Sequence, residues 1–113
     1  MITNFESYTI DITDEEVAMA DLLIKSLRKH PPGTIWTSSQ IIAGFRRNGY
    51  LCTSPRVRKI VAYIRSKSIA PLLASSNGYY LSNDSLEIKK HIKSLQQRIA
   101  GIQIAIDGLK AFV

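Results

Sequence analysis

Between Leu22 and Asn83 the chain has no aspartate or glutamate at all, although the same stretch carries ten lysines and arginines: Lys25, Arg28, Lys29, Arg46, Arg47, Arg56, Arg58, Lys59, Arg65 and Lys67. Six of the nine acids lie in the first 21 residues, and the formal net charge is +6. A solvated helix normally mixes signs, because opposite charges one turn apart attract and like charges repel. So long an acid-free stretch points to an external polyanion. Nucleic acid leads, an anionic membrane surface trails, and a domain that is merely basic is the third reading.

Other shortages exclude whole classes. Cys52 is the only cysteine, so it cannot form an internal disulfide, and no second cysteine offers metal-ligand spacing. No apolar run approaches the roughly 18 residues of a membrane span. The opening MITNFESYTI has neither the basic nor the apolar region of a secretory signal, and a cytoplasmic location is expected. The glycines are scattered and form no phosphate-cradling loop. His30 and His91 have no neighbouring nucleophile or carboxylate cluster suited to catalysis. The expectation is therefore a non-enzyme with no cofactor, no metal and no small-molecule ligand.

What is present reads as a series of short elements. Tyr8, Ile10 and Ile12 alternate with polar residues, as a strand or ordered arm over 1–12 would. Thr13 and Glu16 form a capping-box pattern, and Val17, Ala20, Leu23, Ile24 and Leu27 follow at helical spacing. His30-Pro31-Pro32-Gly33 stops that helix. After a brief β-prone piece, Thr34-Ile35-Trp36, a second capping box (Thr37, Gln40) opens a helix that should bury Ile41, Ile42 and Phe45 and stop at Gly49. Ser54 is read as the N-cap of a third helix, with Pro55 tolerated in its first turn. Val57, Ile60, Val61 and Ile64 give that helix an apolar stripe. Two β-prone runs around Ser76-Asn77-Gly78 read as a hairpin. Trp36 and one of Tyr79 and Tyr80 are expected in the core. Asn83 or Asp84 caps a long last helix.

Helix, short strand, helix, turn, basic helix, hairpin is the order of a winged helix-turn-helix, whose third helix enters the major groove while the hairpin touches the backbone. The stretch from Val57 to Leu81, VRKIVAYIRSKSIAPLLASSNGYYL, resembles the recognition-helix-and-wing segment of the biotin-ligase-repressor type of winged helix, closing with Gly78, Tyr79, Tyr80 and Leu81. With the long helix after the wing, the chain is similar to small phage and prophage winged-helix proteins. Biotin-ligase chemistry is not implied, since no part of a catalytic domain is visible. The stretch before the third helix, RRNGYLCTSP, is a few residues longer than the family's usual tight turn. The expected fold is mainly α with a small hairpin wing: a winged helix-turn-helix over 13–83 and an oligomerisation helix over 84–113.

The resemblance places Thr53, Ser54, Pro55, Arg58, Lys59 and Ala62 on the exposed face of the third helix. A helical wheel sets Pro55, Lys59, Ala62 and Ser66 opposite the apolar stripe, flanked by Arg58 and Arg65 on one side and Arg56 and Tyr63 on the other. Arg58 and Lys59 are expected to contact groove or phosphate, with Thr53 and Ser54 at phosphate near the helix N-terminus. Small Ala62 permits close approach. Arg46 and Arg47 serve the backbone, and Ser76 and Asn77 at the wing tip either bond phosphate or simply turn the chain. The partner implied is double-stranded DNA, bound by a regulator. The alternatives are a low-specificity component of phage replication or packaging, and a protein-interaction module.

In the last helix Ile92, Ile99, Ile106 and Val113 occupy heptad a positions, and Ile88, Leu95, Ile102 and Leu109 occupy d positions. Residues 86 to 112 would span roughly 40 Å, against some 30 Å for a compact domain of about 80 residues. Each seam side chain gains about 1.5–3 kcal/mol on burial, so homo-oligomerisation through this helix is expected. Ile104, Ala105 and Phe112 broaden the apolar face and suggest more than two helices. Isoleucine at a with leucine at d would favour a parallel pair, and orientation and stoichiometry stay open.

Overall fold

The computed structural model describes residues 11–113, so the arm expected around Tyr8 and Ile10 lies outside the described residues. The protein is mainly helical with one two-stranded antiparallel sheet. It divides into two compact units, residues 1–81 and 82–113.

In the first unit, α1 (Asp14–Arg28) opens with the expected capping box: Glu16 N donates to Thr13 Oγ1 at 3.1 Å, and Thr13 N donates to Glu16 Oε1 at 3.1 Å. Its buried stripe is Glu16, Met19, Ala20, Leu23, Ile24 and Leu27. The expected Val17 is instead 40% exposed, and Met19 is wholly buried in the core. The helix is thus rotated so that Glu16, one turn before Ala20, faces inward.

The second helix, α2 (Ser38–Arg47), is capped by Thr37 and Gln40 as expected, and it buries Ile41 and Phe45 while Ile42 is only half-buried. Gly49 ends it in a left-handed conformation (φ +85°), with Tyr50 N bonded back to Phe45 O at 3.0 Å. In α3 (Ser54–Ser66) the N-cap is Thr53, not Ser54, and no side chain caps the first amides. Ser54 is displaced because Thr53 holds the extended backbone a cap requires (φ −130°, ψ 168°), which leaves Ser54 as the first helical residue.

Strands β1 (Leu72–Ser75) and β2 (Gly78–Leu81) pair Leu72 with Leu81 and Ser75 with Gly78. The two-residue turn is therefore Ser76-Asn77, and the positive φ falls on Gly78 (+146°) rather than on the turn's middle residues. Trp36 pairs with Tyr79 as an isolated antiparallel bridge, with N–H to O distances of 2.8 and 2.9 Å. The β-prone piece before α2 thereby joins the hairpin. Gly78 is forced by that pairing, since a Cβ there would lie 2.3 Å from Trp36 O. Trp36 and Tyr79 are both half-buried and pack against the core.

The second unit holds α4 (Ser85–Leu109), capped by Asp84 Oδ1 accepting from Leu86 N at 2.9 Å, and a final 3₁₀ turn, Lys110–Phe112. No residue of α4 is buried. Among the described residues no helix is long and apolar enough to cross a membrane.

Candidate nucleic-acid interface

Helix α3 has two faces of different kind. Val57, Ile60, Val61 and Ile64 are buried against α1 and the rest of the core, which fixes the helix's rotation about its axis. Ser54, Pro55, Arg58, Ala62 and Ser66 are exposed, and Arg58 lies at the middle of this stripe. None of the five is acidic, and Arg58 makes no ion pair among the described residues.

Two residues expected at this surface are engaged elsewhere. Lys59 Nζ donates to Glu16 Oε1 at 2.7 Å, and Arg56 Nε donates to Glu16 Oε2 at 3.0 Å. Arg56 also reaches Glu15 Oε1 at 2.7 Å and the Leu51 carbonyl at 2.5 Å. Both cations bind α1 instead of projecting as free groups. The reason is the inward turn of Glu16, whose side chain is 5% exposed and needs positive partners to remain ionised there. Burial by itself would raise the Glu16 pKa. The hydrogen bonds from Lys59, the Thr13 backbone and Arg56 outweigh that cost and bring it down from 4.5 to about 2. The same contacts hold the Arg56 guanidinium above its ordinary value, through Glu15 first and Glu16 second. Glu16 could have been found in the sequence: it precedes Ala20, Leu23 and Leu27 by four, seven and eleven residues, on the stripe that becomes core.

The remaining expected residues divide. Arg46 Nη2 donates to the Cys52 carbonyl at 3.1 Å, bracing the turn before α3, whereas Arg47 is exposed with no ion pair among the described residues. Tyr63 is half-buried against the core. Arg65 Nε donates to Leu72 O at 2.7 Å and so ties α3 to β1. Thr53, Ser76 and Asn77 are exposed. At the hairpin tip Asn77 N donates to Ser75 Oγ at 3.1 Å, so one hydroxyl there supports the turn itself.

Chain matching against protein-family models, curated proteins and solved structures finds no counterpart.

Of the ten cations in the acid-free stretch, Lys25, Arg56 and Lys59 form ion pairs, and Arg46 and Arg65 bond backbone carbonyls. Arg28, Lys29, Arg47, Arg58 and Lys67 are exposed without an ion pair among the described residues. The missing acids of the middle stretch are thus partly supplied by α1, through Glu15 and Glu16. Sequence reasoning also missed an open cleft beside the hairpin tip, lined by Thr37, Ser38, Ser39, Ser75, Ser76 and Asn77. The sequence read Thr37 as a helix cap and Ser76 and Asn77 as the hairpin tip, and carried no signal that Ser38, Ser39 and Ser75 join them in one cleft. Among the described residues no group of histidine, cysteine, aspartate or glutamate could hold a metal ion.

Proposed function

We propose that the chain is a double-stranded DNA-binding protein, read as a winged helix-turn-helix with α3 as its groove helix and β1–β2 as its wing, acting as a transcriptional regulator of phage or prophage type. The observation that carries the reading is the exposed stripe of α3. It is acid-free, holds Arg58, which makes no ion pair among the described residues, and keeps the small Ala62 one turn further along, where close approach to a groove needs little bulk. Arg58 is the side chain that contacts guanine or phosphate, since bidentate arginine–guanine pairing is the commonest specific contact. Thr53 and Ser54 lie at the α3 N-terminus, where backbone amides and the helix dipole favour phosphate. Arg47, Lys67 and the hairpin tip would meet the flanking backbone. Self-association through the exposed seam of α4 doubles the number of reading heads, and linkage raises the effective concentration of the second contact.

A second reading, a low-specificity component of replication or packaging, is favoured by one feature: the stripe offers a single long hydrogen-bonding side chain to base edges. Selection of bound sequences from a random duplex pool, followed by affinity measurement on selected and unselected duplexes, separates them. A regulator gives a preference of about 10³-fold or more, and a packaging component gives little. Absence of binding to any duplex at low salt would leave the fold as a protein-interaction module.

A further inference from the structure

In the second unit most of the apolar seam is exposed, with Ile88 and Leu95 half-buried. Ile99 is 66% exposed and Leu109 67%, and Ile92, Ile102 and Ile106 are also exposed. The helix carries its charge unevenly along its length. Its first half, residues 85–98, has Lys89, Lys90, Lys93 and Arg98 against the single acid Glu87. Its second half has one acid and one base, Asp107 and Lys110, and these face each other at 3.6 Å while Gln103 Nε2 donates to Asp107 Oδ1 at 2.8 Å. The apolar face widens in the same direction. Ile104 and Phe112, 73% and 87% exposed, lie outside the a and d seam.

We infer that α4 pairs with α4 of a second copy, running antiparallel over its full length. The inference rests on the self-association proposed above and adds its orientation. Antiparallel alignment places a positions opposite d positions, so that Ile92 meets Leu109 of the second copy, Leu95 meets Ile106 and Ile99 meets Ile102. Every seam residue then has an apolar partner.

Flanking contacts follow from the same register. Arg98 lies beside Ala105 of the second copy and His91 beside Phe112. The long stem of Arg98 covers the broad apolar half while its charged head stays in water. Parallel alignment would instead set the two basic halves side by side, whereas antiparallel alignment leaves one like-charge contact, Lys89 with Lys110 of the second copy, at each end. It would also leave Phe112, at a flanking position, without a side chain of the second copy beside it. Antiparallel packing also sets the two helix dipoles head to tail.

Two full-length variants, Ile92→Cys and Leu109→Cys, test the orientation under mild oxidation, with the wild-type chain as control for the buried Cys52. A disulfide needs Cα atoms within about 7 Å. Cross-linked dimer only when the two variants are mixed is the expected result. Cross-linking of either variant with itself, or an associated protein that cross-links in neither case, overturns the orientation. A monomer by sedimentation at micromolar concentration overturns the underlying self-association, a distinct outcome. Should cysteine at the seam loosen the helix, a spin label at the exposed Lys90→Cys reads the same alternative. Antiparallel pairing separates the two labels by about 30 Å along the axis, at 1.5 Å per residue; a much shorter separation means parallel pairing.

Discussion

Lys59 Nζ sits 2.7 Å from Glu16 Oε1, joining the middle of α3 to the first turn of α1 across 43 positions of sequence. Glu16 closes the capping box of its own helix and accepts from Arg56 as well. This carboxylate therefore closes the capping box of α1 and, together with Glu15, balances Arg56 and Lys59 of α3. The consequence for function is a division of labour along α3: Arg56 and Lys59 position the helix, and Arg58 faces outward.

Glu16 makes stability depend on acid. Its pKa falls from 4.5 to about 2 on folding, so the folded state favours the ionised form. That contribution is complete above about pH 4.5 and is lost as pH drops toward 2. Thermal unfolding of the wild type between pH 5 and pH 2 should show a falling Tm over this window. Glu16→Gln keeps a capping acceptor but takes the acid from Lys59 and one of two from Arg56. It should lower stability by a few kcal/mol near neutrality and flatten the acid dependence in the same scan.

Arg58 and Lys59 should separate cleanly. Arg58→Ala removes an exposed side chain with no ion pair among the described residues, so chemical denaturation should change by less than about 0.5 kcal/mol. Duplex binding should weaken by roughly ten-fold or more, on the order of 1–3 kcal/mol. Lys59→Ala should do the reverse, costing fold stability first. Paired urea titration and fluorescence anisotropy on both variants check this.

Gly78→Ala should detach the hairpin. The new Cβ would lie 2.3 Å from Trp36 O and 2.8 Å from Trp36 C, on a backbone with φ +146° that suits only glycine. The expected loss is more than about 2 kcal/mol. Trp36 is the sole tryptophan, so a red-shifted emission in the native state would report its release.

Ser68→Gly should stabilise. Ser68 holds φ +53° just after α3, with Ile69 N bonded to Ile64 O at 3.0 Å and Ser68 N to Arg65 O at 3.1 Å. This is the helix-ending motif in which glycine avoids the Cβ penalty. Its counterpart at the end of α2 already has Gly49. A gain of about 0.5–1 kcal/mol is expected from urea midpoints.

Much of the helical framework could be read because local signals agree with the fold. Both capping boxes form as spaced, and the apolar stripe of α3 is the buried one. Errors arose where a residue's role is set by distant chain. Val17 fits the spacing as well as Met19 does, and only the inward turn of Glu16 toward Arg56 and Lys59 decides between them. The hairpin around Ser76-Asn77-Gly78 forms as read, with Ser76-Asn77 as its turn, but the sequence did not show that Gly78 answers to the Trp36 backbone. Charge counting along the sequence could not see that α1 returns two acids to an acid-free helix. The exposed stripe of α3 was half legible: Pro55, Ala62 and Ser66 lie as the wheel placed them, and Lys59 gives its place to Arg58.

The central claim is that the free cations around α3 meet a polyanionic backbone. Anisotropy of a labelled duplex, titrated at salt concentrations between about 50 and 200 mM, tests it most directly. The log of the binding constant should fall linearly with log salt by about 0.9 per neutralised phosphate, giving a slope of about −2.7 per chain if Arg47, Arg58 and Lys67 all engage. A flat response, or no binding at the lowest salt, would contradict it.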